Sequence, residues 1–135
     1  MINIPTEVIK LNNILSPAAN LHLVGGFVRD SLLGKTPKDI DLATCYTPEI
    51  ICNLLDEAGI KFIVTGIRRG TVTALINKKE IEITTFRNPD NEKEYTTSIL
   101  EDLPARDFSI NSIAWCINEN KLVDPFNGKE DLEKG

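Results

Sequence analysis

The stretch VGGFVRDSLLGKTPKDIDLAT, from Val24 to Thr44, constrains this chain more than any other. Leu21 to Val24 is a short apolar run that reads as a strand. Gly25-Gly26 break it, and Phe27 to Leu33 then place apolar residues at helical spacing up to Gly34. A strand, a glycine turn and a helix in that order bring a backbone close to a phosphate, with unbonded N–H groups at the helix start. Arg29, one turn into the helix, suits a forked contact with phosphate oxygens. A Gly-Gly pair alone is more often just a turn, so the weight rests on the residues beyond the helix.

Those residues are Asp39-Ile40-Asp41-Leu42. On a strand the two aspartates share one face, while Ile40 and Leu42 share the other, where a core would take them. Like charges held side by side repel unless a cation sits between them. Mg²⁺, which favours one or two carboxylates completed by phosphate oxygens, suits such a pair. A lone Asp-x-Asp is more often a solvated strand end. In company with Gly-Gly, Arg29 and Leu-Leu-Gly, it points to a site for a triphosphate and metal.

The 135 residues predict one domain with one buried core, and 41% hydrophobic content predicts a globular chain. No run approaches a transmembrane span and the N-terminus lacks a signal-peptide pattern, so a cytoplasmic protein is expected. Cys45, Cys52 and Cys116 show no metal spacing, and an odd count favours free thiols in a reducing compartment. The net charge of −5 runs against a strong stand-alone nucleic-acid binder, which usually shows a basic footprint.

Along the chain, Pro5-Thr6-Glu7 opens a predicted helix with Val8, Leu11, Ile14 and Leu15 near helical spacing, ending at Ser16-Pro17. A second is predicted from Pro48 to Ala58, capped by Thr44 or Thr47 and stopped by Gly59. Lys61 to Thr65, Thr71 to Ile76 and Glu80 to Phe86 read as strands. Residues 88–98 are polar and read as a loop, and a helix is expected from Arg106 to Ala114. A hairpin should come next, from Trp115 to Val123, turning at Glu119-Asn120. The expected class is α+β, a mixed β-sheet with helices on one face. His22 alternates with Leu21 and Leu23 and is expected to face solvent, whereas Trp115 is expected in the core.

These residues resemble a known family, the class II tRNA nucleotidyltransferases and bacterial poly(A) polymerases of the DNA polymerase beta superfamily. The likeness continues through Arg69-Gly70-Thr71-Val72, Glu82-Ile83-Thr84-Thr85-Phe86-Arg87, Glu101-Asp102-Leu103-Pro104-Ala105-Arg106-Asp107-Phe108-Ser109-Ile110-Asn111 and Asp124-Pro125-Phe126-Asn127-Gly128. It covers roughly residue 20 to the C-terminus, in family order. The resemblance implies a polymerase-beta-like catalytic head over residues 1–135, with Mg²⁺ on Asp39 and Asp41 and with Glu82 as a third catalytic carboxylate. It implies nucleotide binding at Gly25, Gly26 and Arg29, ribose contacts from Arg106 and Asp107, and a substrate-orienting role for Asn111. The plainer readings are a helix cap for Arg106-Asp107 and an edge-strand glutamate for Glu82. Lys35 and Lys38 flank the site and would add phosphate attraction, and Arg68-Arg69 read as solvated charges.

The implied activity is transfer of CMP and/or AMP from CTP or ATP to a tRNA 3′ end. Full-length relatives continue into neck, body and tail, whereas this sequence stops at Asp131-Leu132-Glu133-Lys134-Gly135, where the first connecting helix would begin. An excised head, one product of a split gene and a minimal enzyme all fit that. Many CCA-adding members carry a longer segment with an Arg-x-Pro-acidic patch after the third-carboxylate strand. The stretch from Arg87 to Glu101 is short and is expected to lack the patch, which leans toward the CC-adding subset. Transfer to a non-RNA acceptor and a nucleotide-binding fragment that needs a partner chain are the competing readings.

Overall fold

The computed structural model describes residues 3–15, 17–37, 39–64, 70–88, 91–95, 99 and 113–124. Helix α1 (Thr6–Leu15) starts where Pro5 presets the backbone, and the Pro5 carbonyl accepts from the N–H groups of Val8 and Ile9. Its Val8, Leu11 and Leu15 are buried. A 3-10 turn (Pro17–Ala19) leads to β1 (His22–Val24), α2 (Gly26–Leu32), β2 (Ile40–Thr44) and α3 (Pro48–Glu57). Four strands come in close succession: β3 (Lys61–Val64), β4 (Thr71–Ile76), β5 (Lys79–Thr85) and β6 (Arg87–Asn88). Then come β7 (Asn91–Tyr95), β8 (Ala114–Cys116) and β9 (Lys121–Val123).

Seven strands form one sheet in the order β3-β4-β5-β2-β1-β8-β9. β2 and β5 are parallel, and each remaining pair in the sheet is antiparallel, so the sheet is mixed. The chain reaches β5 from β2 through α3, the kind of crossover a parallel pair requires. Strand periodicity then divides the side chains between two faces. Leu23, Ile40, Leu42, Val72, Ala74, Ile81 and Ile83 join Val8 and Leu11 of α1, Phe27 and Val28 of α2, and Ile51 and Leu55 of α3 in one buried cluster. All three helices therefore cover one face, as the α+β reading expected. A smaller cluster of Val24, Ala43, Phe86, Ile99 and Ala114 belongs to the other face.

One buried charge was not expected. Glu7 on α1 is only 6% exposed and accepts from Lys79 Nζ at 2.7 Å and from the Thr6 hydroxyl at 2.9 Å. The Lys79 hydrogen bond, followed by that of Thr6, holds the carboxyl down at about 2, from an ordinary value of 4.5. A depressed carboxyl stabilises the fold above its unfolded value and loses that contribution as pH falls through its folded value. Glu7→Gln should therefore lower the melting temperature above pH 4.5, with the gap to wild type closing between 4.5 and 2. Melting curves at successive pH values check this; a gap that persists at pH 2 would assign the loss to packing.

Three local expectations are corrected. His22 is buried at 2% exposure: its Nδ1–H donates to the Asn20 carbonyl at 2.7 Å, and its ring meets Phe86 edge-on at 5.8 Å. β1 lies inside the sheet between β2 and β8 with both faces covered, so alternation there marks no solvent side. Residues 88–98 are not simply a loop, because Arg87–Asn88 and Asn91–Tyr95 pair as an antiparallel hairpin. The helix expected from Arg106 cannot reach Ala114, which opens β8; residues 106–112 lie outside the described residues. The last hairpin forms as expected, with Asn120 at a positive φ in its turn, and Trp115 packs half-buried against the main cluster. Among the described residues, no helix is long and apolar enough to cross a membrane.

Candidate active site on the open face of the sheet

The face away from the helices carries the candidate site. β2 and β5 run parallel with Asp41 opposite Glu82, and β5 and β4 run antiparallel with Glu82 opposite Thr73. Residues opposite one another project to the same side, so Thr73, Glu82 and Asp41 form a row across three strands. Val24, the last residue before the glycine turn, extends the row on β1 opposite Asp41. Asp39 precedes β2 and is exposed, while Asp41 is half-buried between Ile40 and Leu42, which point into the core as expected. Asp39, Asp41, Glu80 and Glu82 line a hollow of about 290 Å³.

The Gly-Gly turn closes against this hollow. Gly25 has φ +68° and ψ −143°, a conformation that side chains rarely adopt, and it caps the start of α2. A Cβ placed on it would stand 3.4 Å from Asp41 Oδ2, so the aspartate lies directly against the turn. A Cβ on Gly26 would stand 3.1 Å from Arg29 Nη2. The Arg29 guanidinium thus folds back over the turn, steadied by Nε donating to Asp30 Oδ1 at 3.2 Å. α2 is only seven residues long, so its first-turn N–H groups matter more than its dipole.

The sequence-predicted residues thus divide in two. Gly25, Gly26, Arg29, Asp39, Asp41 and Glu82 are brought to one end of the open face. Arg106, Asp107 and Asn111 lie outside the described residues, as do Lys38, Arg68 and Arg69. Sequence reasoning missed Thr73, buried opposite Glu82, because no local pattern announces a cross-strand partner. The open-face carboxylates are hard oxygen donors and could hold a hard cation. Among the described residues, no three His, Cys, Asp or Glu side chains draw together into a preformed metal cage.

The mixed sheet thus brings strand-borne carboxylates up to a Gly-Gly turn. A family model described as the poly(A) polymerase head domain matches residues 21–135. The chain belongs to that family, whose members are metal-dependent nucleotidyltransferases. The CCA-adding enzyme of Streptococcus gordonii is 37% identical over 132 residues, covering 91% of this chain and 32% of the relative. The crystal structure of the Bacillus stearothermophilus CCA-adding enzyme in complex with CTP matches at 33% identity with a TM-score of 0.84, over 95% of this chain and 31% of that one. A tRNA nucleotidyltransferase complexed with a primer tRNA and an incoming ATP analog matches at 34% identity with a TM-score of 0.69, over 84% of this chain and 33% of that one. The chain therefore spans about a third of the length of these relatives.

Proposed function

We propose that residues 1–135 act as the catalytic head of a tRNA nucleotidyltransferase, adding CMP and AMP to a tRNA 3′ end from CTP and ATP with Mg²⁺. One observation carries this reading: Asp41 stands opposite Glu82 on parallel strands and against the Gly25 turn, so acidic and phosphate-approaching groups meet at one place. The RNA 3′-hydroxyl attacks the α-phosphorus of the nucleotide, a new phosphodiester bond forms, and pyrophosphate leaves. Asp39 and Asp41 would hold two Mg²⁺, with Glu82 completing the acidic set; such ions neutralise the attacking and leaving oxygens in phosphoryl transfer. The Gly25-Gly26 backbone lets the triphosphate approach, and Arg29 forks onto its oxygens. Arg106 and Asp107 would read the ribose hydroxyls, and Asn111 would orient the substrate. Positioning and charge neutralisation are the main contributions of the protein in this chemistry.

The expected lack of the patch, and with it the lean toward CC addition, does not hold against the residues themselves. Residues 87–90 read Arg-Asn-Pro-Asp, which is itself an Arg-x-Pro-acidic patch. With that patch present, the proposal includes the terminal A. The acidic net charge favours a head that grips tRNA weakly by itself and gains from a basic surface supplied by a partner.

The test is incubation with radiolabelled CTP or ATP, Mg²⁺ and a tRNA lacking its terminus. It is run on the chain alone and with the C-terminal portion of a CCA-adding relative supplied as a second chain. The expected result is Asp41-dependent incorporation that rises when the second chain is present. Absence of labelled tRNA in both arms, with the nucleotide still consumed, would move the reading to a non-RNA acceptor.

A further inference from the structure

Lys79 lines two environments at once. Its ammonium is held on the helix side, 2.7 Å from Glu7 Oε1, while the residue also borders a hollow of about 390 Å³ shared with Asp39, Glu80 and Lys78. That hollow adjoins the carboxylate hollow, and the two have Asp39, Ile40 and Glu80 in common. Burial does not trap the lysine, because its side chain is 54% exposed against 6% for Glu7. What holds it is the ion pair, with Thr6 donating to the other Glu7 oxygen and so fixing the carboxylate. The stem is long and flexible and ends in a compact charge. Released from Glu7, the ammonium has Asp39 and Glu80 within the same hollow to pair with. Placed there it would repel any divalent cation on the aspartates.

We propose that Glu7 is a positioning residue for the metal site: it draws the Lys79 ammonium away from Asp39 and Glu80, leaving those carboxylates to a divalent cation. The inference rests on the metal-binding reading of Asp39 and Asp41. Glu7 itself touches neither nucleotide nor metal. It acts through Lys79 alone, and that makes its effect reversible by a second substitution.

Mn²⁺ binding without nucleotide is measured by calorimetry on wild type, Glu7→Gln, Lys79→Met, the double variant and Asp41→Ala, with melting curves in parallel. Glu7→Gln should bind Mn²⁺ roughly tenfold more weakly than wild type. The double variant should return to wild-type affinity, although it still lacks the ion pair and melts no higher than Glu7→Gln. A purely structural role for Glu7 would leave the double variant as weak as the single one, and that result overturns the proposal. Unchanged binding in Glu7→Gln overturns it equally. If Glu7→Gln does not fold, Lys79→Met decides, since it must bind at least as tightly as wild type. If wild type binds no better than Asp41→Ala, the metal-site reading itself falls and takes this inference with it.

Discussion

Asp41→Ala should reduce nucleotide transfer by roughly a thousandfold or more while leaving the chain folded. The two halves of this expectation have separate causes. Asp41 lies against the Gly25 turn and opposite Glu82, so on the proposed reading its loss would take a metal ligand away from the triphosphate end. The main core is left in place, because Ile40 and Leu42 pack into it from the other side of the strand. Removing one carboxylate also relieves repulsion from Glu82. Asp39→Ala should behave alike, and Asp41→Asn should lose activity as fully, since the amide keeps the shape and discards the charge. Incorporation assays in the active assembly, with circular dichroism melts beside them, check both halves. Substantial retained activity in a folded Asp41→Ala chain would remove the metal-site assignment.

The parts of this site that sequence made legible are the local ones. Gly25-Gly26, Arg29 and the Asp39–Asp41 pair lie within one strand-turn-helix-strand unit, where periodicity and turn chemistry act over a few residues. The facing of Glu80 and Glu82, with Ile81 and Ile83 inward, is expected from alternation and is observed. What alternation does not carry is register. The pairing of Asp41 with Glu82 joins strands separated by α3, β3 and β4, and it came into view only through the resemblance. His22 was misread because a strand covered on both faces offers no exposed side to alternate toward. The hairpin of β6 and β7 was missed because polar strands paired only with each other carry no apolar signal. Glu7 resembled an ordinary helix-start acid, and its burial depends on a lysine 72 positions away in the sequence.

The turn itself supplies the second large effect: Gly25→Ala should both destabilise the chain and weaken nucleotide binding. At φ +68° and ψ −143° the backbone lies in a region essentially reserved for glycine, and forcing a side chain there costs on the order of 1–3 kcal/mol. For a chain of this size that is a fall in melting temperature of roughly 4–11 °C. The new methyl group does not act by collision, because 3.4 Å from Asp41 Oδ2 is an ordinary contact. Strain is the cause, and the turn relieves it by rotating toward an allowed conformation. That motion displaces Asp41 on one side and the start of α2, with Arg29, on the other. Gly59→Ala provides the comparison: Gly59 also has a positive φ, +74°, but it ends α3 with open space around its Cβ direction. There the N–H groups of Gly59 and Ile60 close the helix onto Asp56 and Leu55, far along the chain from the acidic row. Gly59→Ala should therefore lower the melting temperature without changing the affinity for CTP or ATP. Calorimetric titration of both variants with each nucleotide separates the two roles. Equal nucleotide affinity in Gly25→Ala and Gly59→Ala would mean that the Gly-Gly turn shapes the fold without touching the triphosphate.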